Sequence, residues 1–254
     1  MIIILSPAKS LDFKHPGPAG LSTTPEFIKE AAAIADRMRK FSAADLAALM
    51  KISGKLAYEN YDRYQLWRPA ESVPAGKQAI LAYKGDAYQG LAAGELGRDE
   101  LMWAQGHLRI LSGLYGILRP LDLIMPYRLE FATKLKPLRY KDLYSYWNES
   151  INRSLLDLKT AEGSRILVNL ASAEYYKAID SRSTGFDVIT PVFKEYRNGD
   201  YRFFSMFGKR ARGLMTRFII EKRIEDPEQI KLFDTEGYSF NALLSGDREW
   251  VFTR

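Results

Sequence analysis

Cysteine is absent from this chain of 254 residues, and histidine occurs only at His15 and His107. Without cysteine the chain has no disulfide, no thiol nucleophile and no thiol redox sensor. Two histidines are too few for an ordinary zinc site. We therefore expect no metal and no other cofactor, and any chemistry has to use other side chains.

Long apolar runs are also missing. The apolar run at residues 2–5 is too short for the hydrophobic region of a signal peptide, and no basic residue precedes it. No segment approaches the roughly 18 consecutive apolar residues that a membrane span needs. We expect a cytoplasmic protein without a membrane partner.

Acidic residues are the minority among the charged ones. The chain has 31 Asp and Glu against 37 Lys and Arg, for a formal net charge of +6. This excess favours a polyanionic partner without identifying one. The length suits one large domain, and because we find no repeat, low-complexity segment or linker, we predict a single domain over residues 1–254.

Periodicity predicts a mixture of strands and helices. Continuous apolar runs indicate buried strands at residues 1–5, 79–83 and 165–170, and a closing strand is predicted at 250–253. Asn198-Gly199-Asp200 indicates a hairpin between strands at 187–193 and 201–207. Amphipathic spacing predicts helices after Thr24, after Ser42, around residues 58–67, at 142–158 and at 207–223. The fold class that we predict is α+β, with a mixed central sheet wrapped by helices.

Polar side chains follow each of the three buried strands: Ser6 and Lys9, Lys84 and Asp86, Asn169 and Ser172. Ligands collect at the carboxyl ends of parallel strands, so these ends could surround one basic cleft. Ordinary loop polarity explains the same residues equally well.

A catalytic interpretation of the cleft stays open beside the binding one. Ser6 and Lys9 match the serine–lysine spacing of penicillin-binding enzymes, but the companion S-D-N and K-T-G motifs are absent. The alternative function is an enzyme that acts on an anionic small molecule or nucleotide. The sequence leaves enzyme status undecided and favours a binding protein.

Residues 99–131 combine basic side chains with two glycines. Apolar spacing predicts a helix over 99–111, then a hairpin containing Gly113 and Gly116, then a short helix limited by prolines. Glycine in such a hairpin lets backbone N–H groups approach a phosphate, because no Cβ obstructs them. The competing interpretation is a helix C-cap followed by an ordinary turn.

The predicted helix at 207–223 is strongly basic. From Arg202 to Ile220 there are five basic residues and no Asp or Glu. We expect this face to attract phosphate, although charged helix faces are commonly just solvated. The candidates for DNA contact are Lys209, Arg210, Arg212 and Arg217.

Five motifs together resemble the YaaA peroxide-stress-response family: SPAKSLDF at the start, YKGDAYQGL at 83–91, HLRILSGLYGILRPLDLIMPYRLEF at 107–131, VNLASAEYYK at 168–177 and KRARGLMTRFIIE at 209–221. The resemblance implies protection against hydrogen peroxide, limiting DNA damage linked to free intracellular iron. It also implies binding of double-stranded and branched DNA through a basic cleft and a helix-hairpin-helix element.

By this resemblance, residues 108–122 carry the helix-hairpin-helix element. The cleft would be lined by Lys9, Lys84, Arg109, Arg119 and Arg128. Because the chain has no cysteine, protection by occupying DNA or recruiting repair fits the residues better than thiol chemistry.

Overall fold

A central sheet organises the chain in the computed structural model, which describes residues 1–15, 20–69, 76–136, 139–163 and 165–254. The strands, in chain order, are β1 (Ile2–Leu5), β2 (Ser10–Leu11), β3 (Lys77–Gln78), β4 (Tyr83–Lys84), β5 (Leu108–Ser112), β6 (Gly116–Leu118), β7 (Leu123–Ile124), β8 (Ile166–Leu170), β9 (Asp187–Arg197), β10 (Asp200–Arg202), β11 (Ser239–Phe240) and β12 (Glu249–Thr253). The order across the central sheet is β11-β12-β9-β8-β1-β5-β6, with β10 paired to β9. The pairs β2–β4 and β3–β7 form separate two-stranded sheets.

Helices surround this sheet. They are α1 (Ile28–Met38), α2 (Ala43–Met50), α3 (Gly54–Leu66), α4 (Ala79–Ala82), α5 (Asp86–Leu91), α6 (Arg98–His107), α7 (Leu143–Glu162), α8 (Ala173–Tyr176), α9 (Ser181–Thr184) and α10 (Ser205–Lys222). Short 3₁₀ segments cover Ala93–Glu95, Pro227–Leu232 and Thr235–Gly237. One continuous hydrophobic core extends from Met1, next to the first strand, to Phe252 in the last.

β1 is buried at every position and lies inside the sheet, between β8 and β5. It pairs in parallel with β5, with Ile3 opposite Leu108, and with β8, with Ile3 opposite Val168. β-branched residues suit such a strand, because both of its faces are covered. The predicted strands at 1–5 and 165–170 are confirmed.

The mixed central sheet is confirmed, and its pairing is mostly parallel. β5, β1, β8, β9 and β12 run in parallel, whereas β6, β10 and β11 pair antiparallel at the margins. Alternation of parallel strands with helices gives α/β character rather than the predicted α+β class.

The predicted strand at 79–83 is wrong. Residues 79–82 form the single turn α4, and only Tyr83–Lys84 is extended, paired with Ser10–Leu11 outside the central sheet. A run of four or five apolar residues has no periodicity that separates a buried strand from a buried helical turn.

The predicted helix over 99–111 is correct only in its first part. α6 ends at His107, and residues 108–112 form β5 beside β1. Leu108, Ile110 and Leu111 fit a helical face by spacing, but they also form the continuous apolar run of a strand buried on both faces. The predicted strand at 201–207 likewise stops at Arg202, because α10 begins at Ser205.

Candidate functional site

The carboxyl ends of β1 and β8 place two serines in contact. The Ser172 backbone N–H donates to Ser6 Oγ at 2.8 Å, and the two hydroxyl oxygens lie 3.4 Å apart. Asn169 is turned toward the end of its own strand, where its Oδ1 accepts from the Ala171 N–H at 3.1 Å. Parallel pairing of β1 with β8 is the cause, since it brings both carboxyl ends to the same edge.

Lys9 directly precedes β2, and Lys84 lies in β4, the strand paired with β2. Ser10 is opposite Lys84 in the β2–β4 pair, so the lysines are carried by adjacent backbone segments. Both side chains are 62% exposed. Lys9 Nζ is 2.7 Å from Glu130 Oε2, and Lys84 Nζ is 4.0 Å from Asp12 Oδ2. Backbone pairing brings the two lysines onto neighbouring segments, but they contact different carboxylates and Lys84 is outside the central sheet, so a single basic cleft stays a prediction.

Glu130 connects Lys9 to Arg128. Its second oxygen accepts from Arg128 Nη2 at 3.0 Å, so one carboxylate lies between two cations. The Nε of Arg128 is buried and, in the described part of the chain, has no hydrogen-bond partner. With two cations and one carboxylate the group carries a net positive charge, and Lys9 is its exposed member.

Buried tyrosines lie beside Ser6, and sequence reasoning assigned no role to Tyr83 or Tyr127. Tyr88 donates its hydroxyl to the Ser6 carbonyl at 3.0 Å. The Tyr83 and Tyr127 hydroxyls are 2.6 Å apart, and Tyr127 is also 2.6 Å from Ser112 Oγ. Burial raises the pKa of Tyr127 to about 12, so its hydroxyl is protonated at neutral pH and cannot act as a base. The sequence signal that could have indicated these tyrosines is their repeated occurrence near charged residues, in YKGDAY at 83–88 and PYRLE at 126–130.

A cavity of about 550 Å³ adjoins these tyrosines. Tyr83 and Tyr88 line it together with Lys77, Glu95 and Arg98. Ser6, Lys9 and Glu130 do not contribute to its lining. The serine–lysine pair therefore does not line this cavity.

The predicted helix-hairpin-helix element at 108–122 is wrong. Residues 108–112 and 116–118 form the antiparallel hairpin of β5 and β6. Gly113 and Gly116 are buried in it: a Cβ on Gly113 would collide with the Leu129 carbonyl, and Gly116, at φ +72°, faces the Trp147 ring. The N–H groups of the turn are used internally, since Leu114 and Tyr115 both donate to Ser112 Oγ.

Arg109 and Arg119, predicted at the cleft, have partners within the protein. Arg109 is 8% exposed, and its Nη1 donates to carbonyls at the end of α6, including Gln105 O at 3.0 Å. Arg119 contacts the buried Asp122 carboxylate at 2.9 Å and also donates to Thr24 O. These two guanidinium groups hold the fold together, and we do not retain them as DNA contacts.

Acids from distant segments reach the basic helix α10. Arg210 pairs with Glu236 at 2.6 Å, and Arg217 pairs with Glu95 at 2.9 Å and with Glu221 at 2.7 Å. Asp86 also lies close enough to Arg210 to contribute to raising its pKa, after the larger effect of Glu236. The absence of acids within residues 202–220 therefore does not leave these two arginines unpaired.

Lys209 and Arg212 differ from the two paired arginines. Lys209 is exposed and Arg212 is partly buried, and neither forms an ion pair among the residues that the structure describes. Burial lowers the pKa of Arg212, and no neighbouring carboxylate contributes. These are the members of the α10 set whose charge is not compensated by a salt bridge.

Helices α2 and α3 form a helix–turn–helix pair whose turn sequence reasoning overlooked. Lys51, at φ 52°, ends α2, and Ser53 is the N-cap of α3. Lys51, Ser53, Gly54 and Lys55 are all exposed, and a Cβ on Gly54 would meet no atom within 4 Å. The signal was LMKISGKLA at 49–57, in which serine and glycine separate two helical patterns.

Comparison with known proteins supports the resemblance. The family model of the peroxide stress protein YaaA matches residues 1–244. The chain belongs to this family. A UPF0246 protein of Azoarcus is 48% identical over 258 residues, covering 100% of this chain and 99% of the relative. A UPF0246 protein of Burkholderia mallei is 49% identical over 256 residues, with coverage of 100% and 98%, and one of Ralstonia pickettii is 48% identical over 254 residues, with coverage of 100% and 99%.

A peroxide stress role follows from membership of the family. Among the described residues, no group of three or more His, Cys, Asp or Glu side chains is placed to hold a metal ion. No helix in the same residues is both long and apolar enough to cross a membrane.

Proposed function

We propose that this chain serves the peroxide stress response by binding double-stranded and branched DNA. The α2–α3 turn is the observation that carries the proposal. It is an exposed, glycine-bearing turn between two helices, which is the type of element that the resemblance implied, but at other residues.

The chemistry of this turn suits a phosphate. The N–H groups of Gly54 and Lys55 open α3 and have no partner inside the helix, because the first amides of any helix lack one. No acidic residue occupies the first turn of α3, so the positive end of the helix dipole is not neutralised. Lys51 and Lys55 add two exposed charges beside these amides.

Lys9 and Lys84, beside and within the β2–β4 pair, provide further exposed charges. Backbone amides and lysine side chains both contact the phosphate backbone and do not read base edges, so we propose binding without strong sequence preference. Protection would then come from occupying DNA, and lowering of free iron would be an indirect consequence, since the described residues form no metal-binding cluster.

Gel-shift titration of a duplex and a four-way junction over a salt series tests the proposal. Lys51→Gln with Lys55→Gln should weaken binding and make the log–log salt slope shallower by about two, because each neutralised phosphate contributes about −0.9. The control is Lys29→Gln with Lys222→Gln, which removes two exposed lysines from α1 and α10. A parent protein that binds neither DNA at low salt would refute the function. Equal losses in the two double variants would refute the role of the turn.

A further inference from the structure

A cluster of exposed aromatic and apolar side chains lies where the β9–β10 hairpin leads into α10. We call it the hairpin patch. The exposed fractions are 58% for Tyr196, 52% for Phe203, 37% for Phe204 and 61% for Met206. Single exposed apolar residues are normal on a protein surface, but four within eleven consecutive positions require an explanation.

The rings of the hairpin patch are held by the fold. Tyr196 is opposite Tyr201 in the β9–β10 pair, with ring centroids 5.2 Å apart. Phe203 packs over Gly208, where an added Cβ would lie 2.6 Å from the ring. Phe204 is 6.1 Å from Phe207. Because neighbouring residues already fix these rings, a ligand that stacks on them loses little side-chain entropy.

Positive charge surrounds the rings. Arg197, Arg202 and Lys209 are exposed, and Asp200 is the one acidic residue between positions 196 and 209. Arg202 Nε lies 3.7 Å from Asp200 Oδ2, and both side chains are well exposed, so the pair is weak. Exposed rings beside cations without strong salt bridges match the chemistry of a nucleic acid whose bases are unpaired. The bases can stack on the rings, and the phosphates can contact the cations.

We infer that the hairpin patch binds unpaired bases of DNA by stacking, at single-stranded or opened regions. This inference rests on the proposed DNA-binding function and adds the part of the DNA that the patch contacts. A second copy of the chain fits less well, because two such basic patches would repel each other. An anionic membrane also fits less well, because the apolar side of α10 is buried in the core and is not available to enter a bilayer.

Fluorescence anisotropy with labelled DNA tests the inference on the full chain. The probes are an oligothymidylate of about 16 nucleotides and a blunt duplex of mixed sequence. Tyr196→Ser with Phe203→Ser should weaken oligothymidylate binding by about tenfold and leave duplex binding unchanged, since one stacked base contributes a factor of several. The salt slope should not change, because the variant removes no charge.

Two further variants separate stacking from loss of structure. Tyr196→Phe with Phe203→Tyr keeps both rings and should bind oligothymidylate like the parent. Leu232→Ser with Leu243→Ser removes two exposed leucines elsewhere and should also bind like the parent. Circular dichroism and urea unfolding confirm that each variant is folded.

The failures of the inference and of the proposed function are distinguishable. A parent that binds the duplex but not oligothymidylate overturns the inference and leaves the proposed function intact. A parent that binds neither overturns both. Unchanged oligothymidylate binding in the Tyr196/Phe203 serine variant also overturns the inference. The inference would also be overturned if the parent bound phosphatidylserine vesicles and the same variant abolished that binding, because the patch would then be a membrane contact.

Discussion

At the scale of single residues, Arg119 shows how a basic side chain can be used inside the protein. The Asp122 carboxylate beside it is 1% exposed and accepts from the Arg119 backbone N–H, the Arg119 guanidinium and Thr23 Oγ1. A buried carboxylate needs such partners, because an unpaired charge in the interior is costly. The regular spacing of arginines in the sequence could not reveal this pairing.

We predict that Arg119→Gln destabilises the protein and does not act through DNA. Losing the cation leaves Asp122 buried without its counter-charge, which commonly costs 3 kcal/mol or more. Because about a third of the Arg119 side chain is exposed, we expect roughly 2 kcal/mol. Urea unfolding measures the change. Arg153→Gln is the matched control, since Arg153 and Glu149 are largely exposed and should contribute less than about 0.5 kcal/mol.

The opposite result would restore the DNA interpretation of this arginine. If Arg119→Gln unfolded at the parental urea concentration but bound DNA with a salt slope shallower by about one unit, Arg119 would be a phosphate contact.

At the scale of elements, α10 is tied to the C-terminal part of the chain through Glu236. Its carboxylate contacts Arg210 on α10 and Arg254 after β12, at 2.6 and 3.4 Å. The hydrogen bonds from Arg210, followed by the positive charges of Arg210 and Arg254, lower the pKa of Glu236 against the opposing effect of burial. Three elements that are distant in the sequence therefore depend on one ionised carboxylate.

The pKa direction predicts how this linkage changes with pH. A carboxylate whose pKa is lowered on folding contributes stability above its unfolded pKa, and that stability is lost as the pH falls through the folded value. We expect Glu236→Gln to lower the free energy of unfolding by about 1 kcal/mol at neutral pH. The difference from the parent should shrink as the pH falls from about 5 to about 3.

Urea titrations of parent and variant at several pH values measure this difference. Glu228→Gln, which removes an exposed partner of Lys231, should show a smaller effect at neutral pH. The difference in the free energy of unfolding between the parent and Glu236→Gln could instead stay constant as the pH falls to about 3. The ionised carboxylate would then not be what joins these elements.

Sequence periodicity predicted the elements that are long or strongly patterned. α10 was expected at 207–223 and spans Ser205–Lys222. A helix was expected after Ser42, and α2 begins at Ala43 with Ser42 and Asp45 in a capping box. Asn198-Gly199 forms the expected hairpin. Each of these signals is local, because capping, turn formation and helical spacing depend on residues within a few positions.

Long-range contacts explain what the sequence could not predict. Residues 108–112 become a strand because β1 and β6 lie beside them, although their spacing also fits a helix. Ser6 and Ser172 could be placed together, since parallel strands end at one edge, but the salt bridges of Arg210 and Arg217 depend on acids from other segments. The number of charged residues in a local stretch of sequence is therefore a poor guide to which cations remain available to bind a ligand.

At the scale of the whole molecule, only some of the cations behind the net charge of +6 are available to contact a polyanion. Some of the positive charge is paired within the fold, as at Arg119, Arg210 and Arg217. Other cations, such as Lys51, Lys55, Lys84 and Lys209, are exposed and have at most distant carboxylate partners among the described residues. Association with a polyanion can be governed by the total charge or by the placement of the available cations.

Two double variants separate these possibilities, since each removes two positive charges. Lys9→Gln with Lys84→Gln should weaken duplex binding and make the salt slope shallower by about one, because Lys84 is exposed with a carboxylate only at 4.0 Å, whereas Lys9 is paired with Glu130 at 2.7 Å. Arg210→Gln with Arg217→Gln should keep the parental slope but unfold at lower urea concentration, because both arginines are paired with glutamates. Gel shifts over a salt series, with urea unfolding of the same preparations, provide both measurements. Equal changes of slope in the two variants would mean that total charge governs binding, and a loss confined to the arginine variant would place the DNA surface on α10 after all.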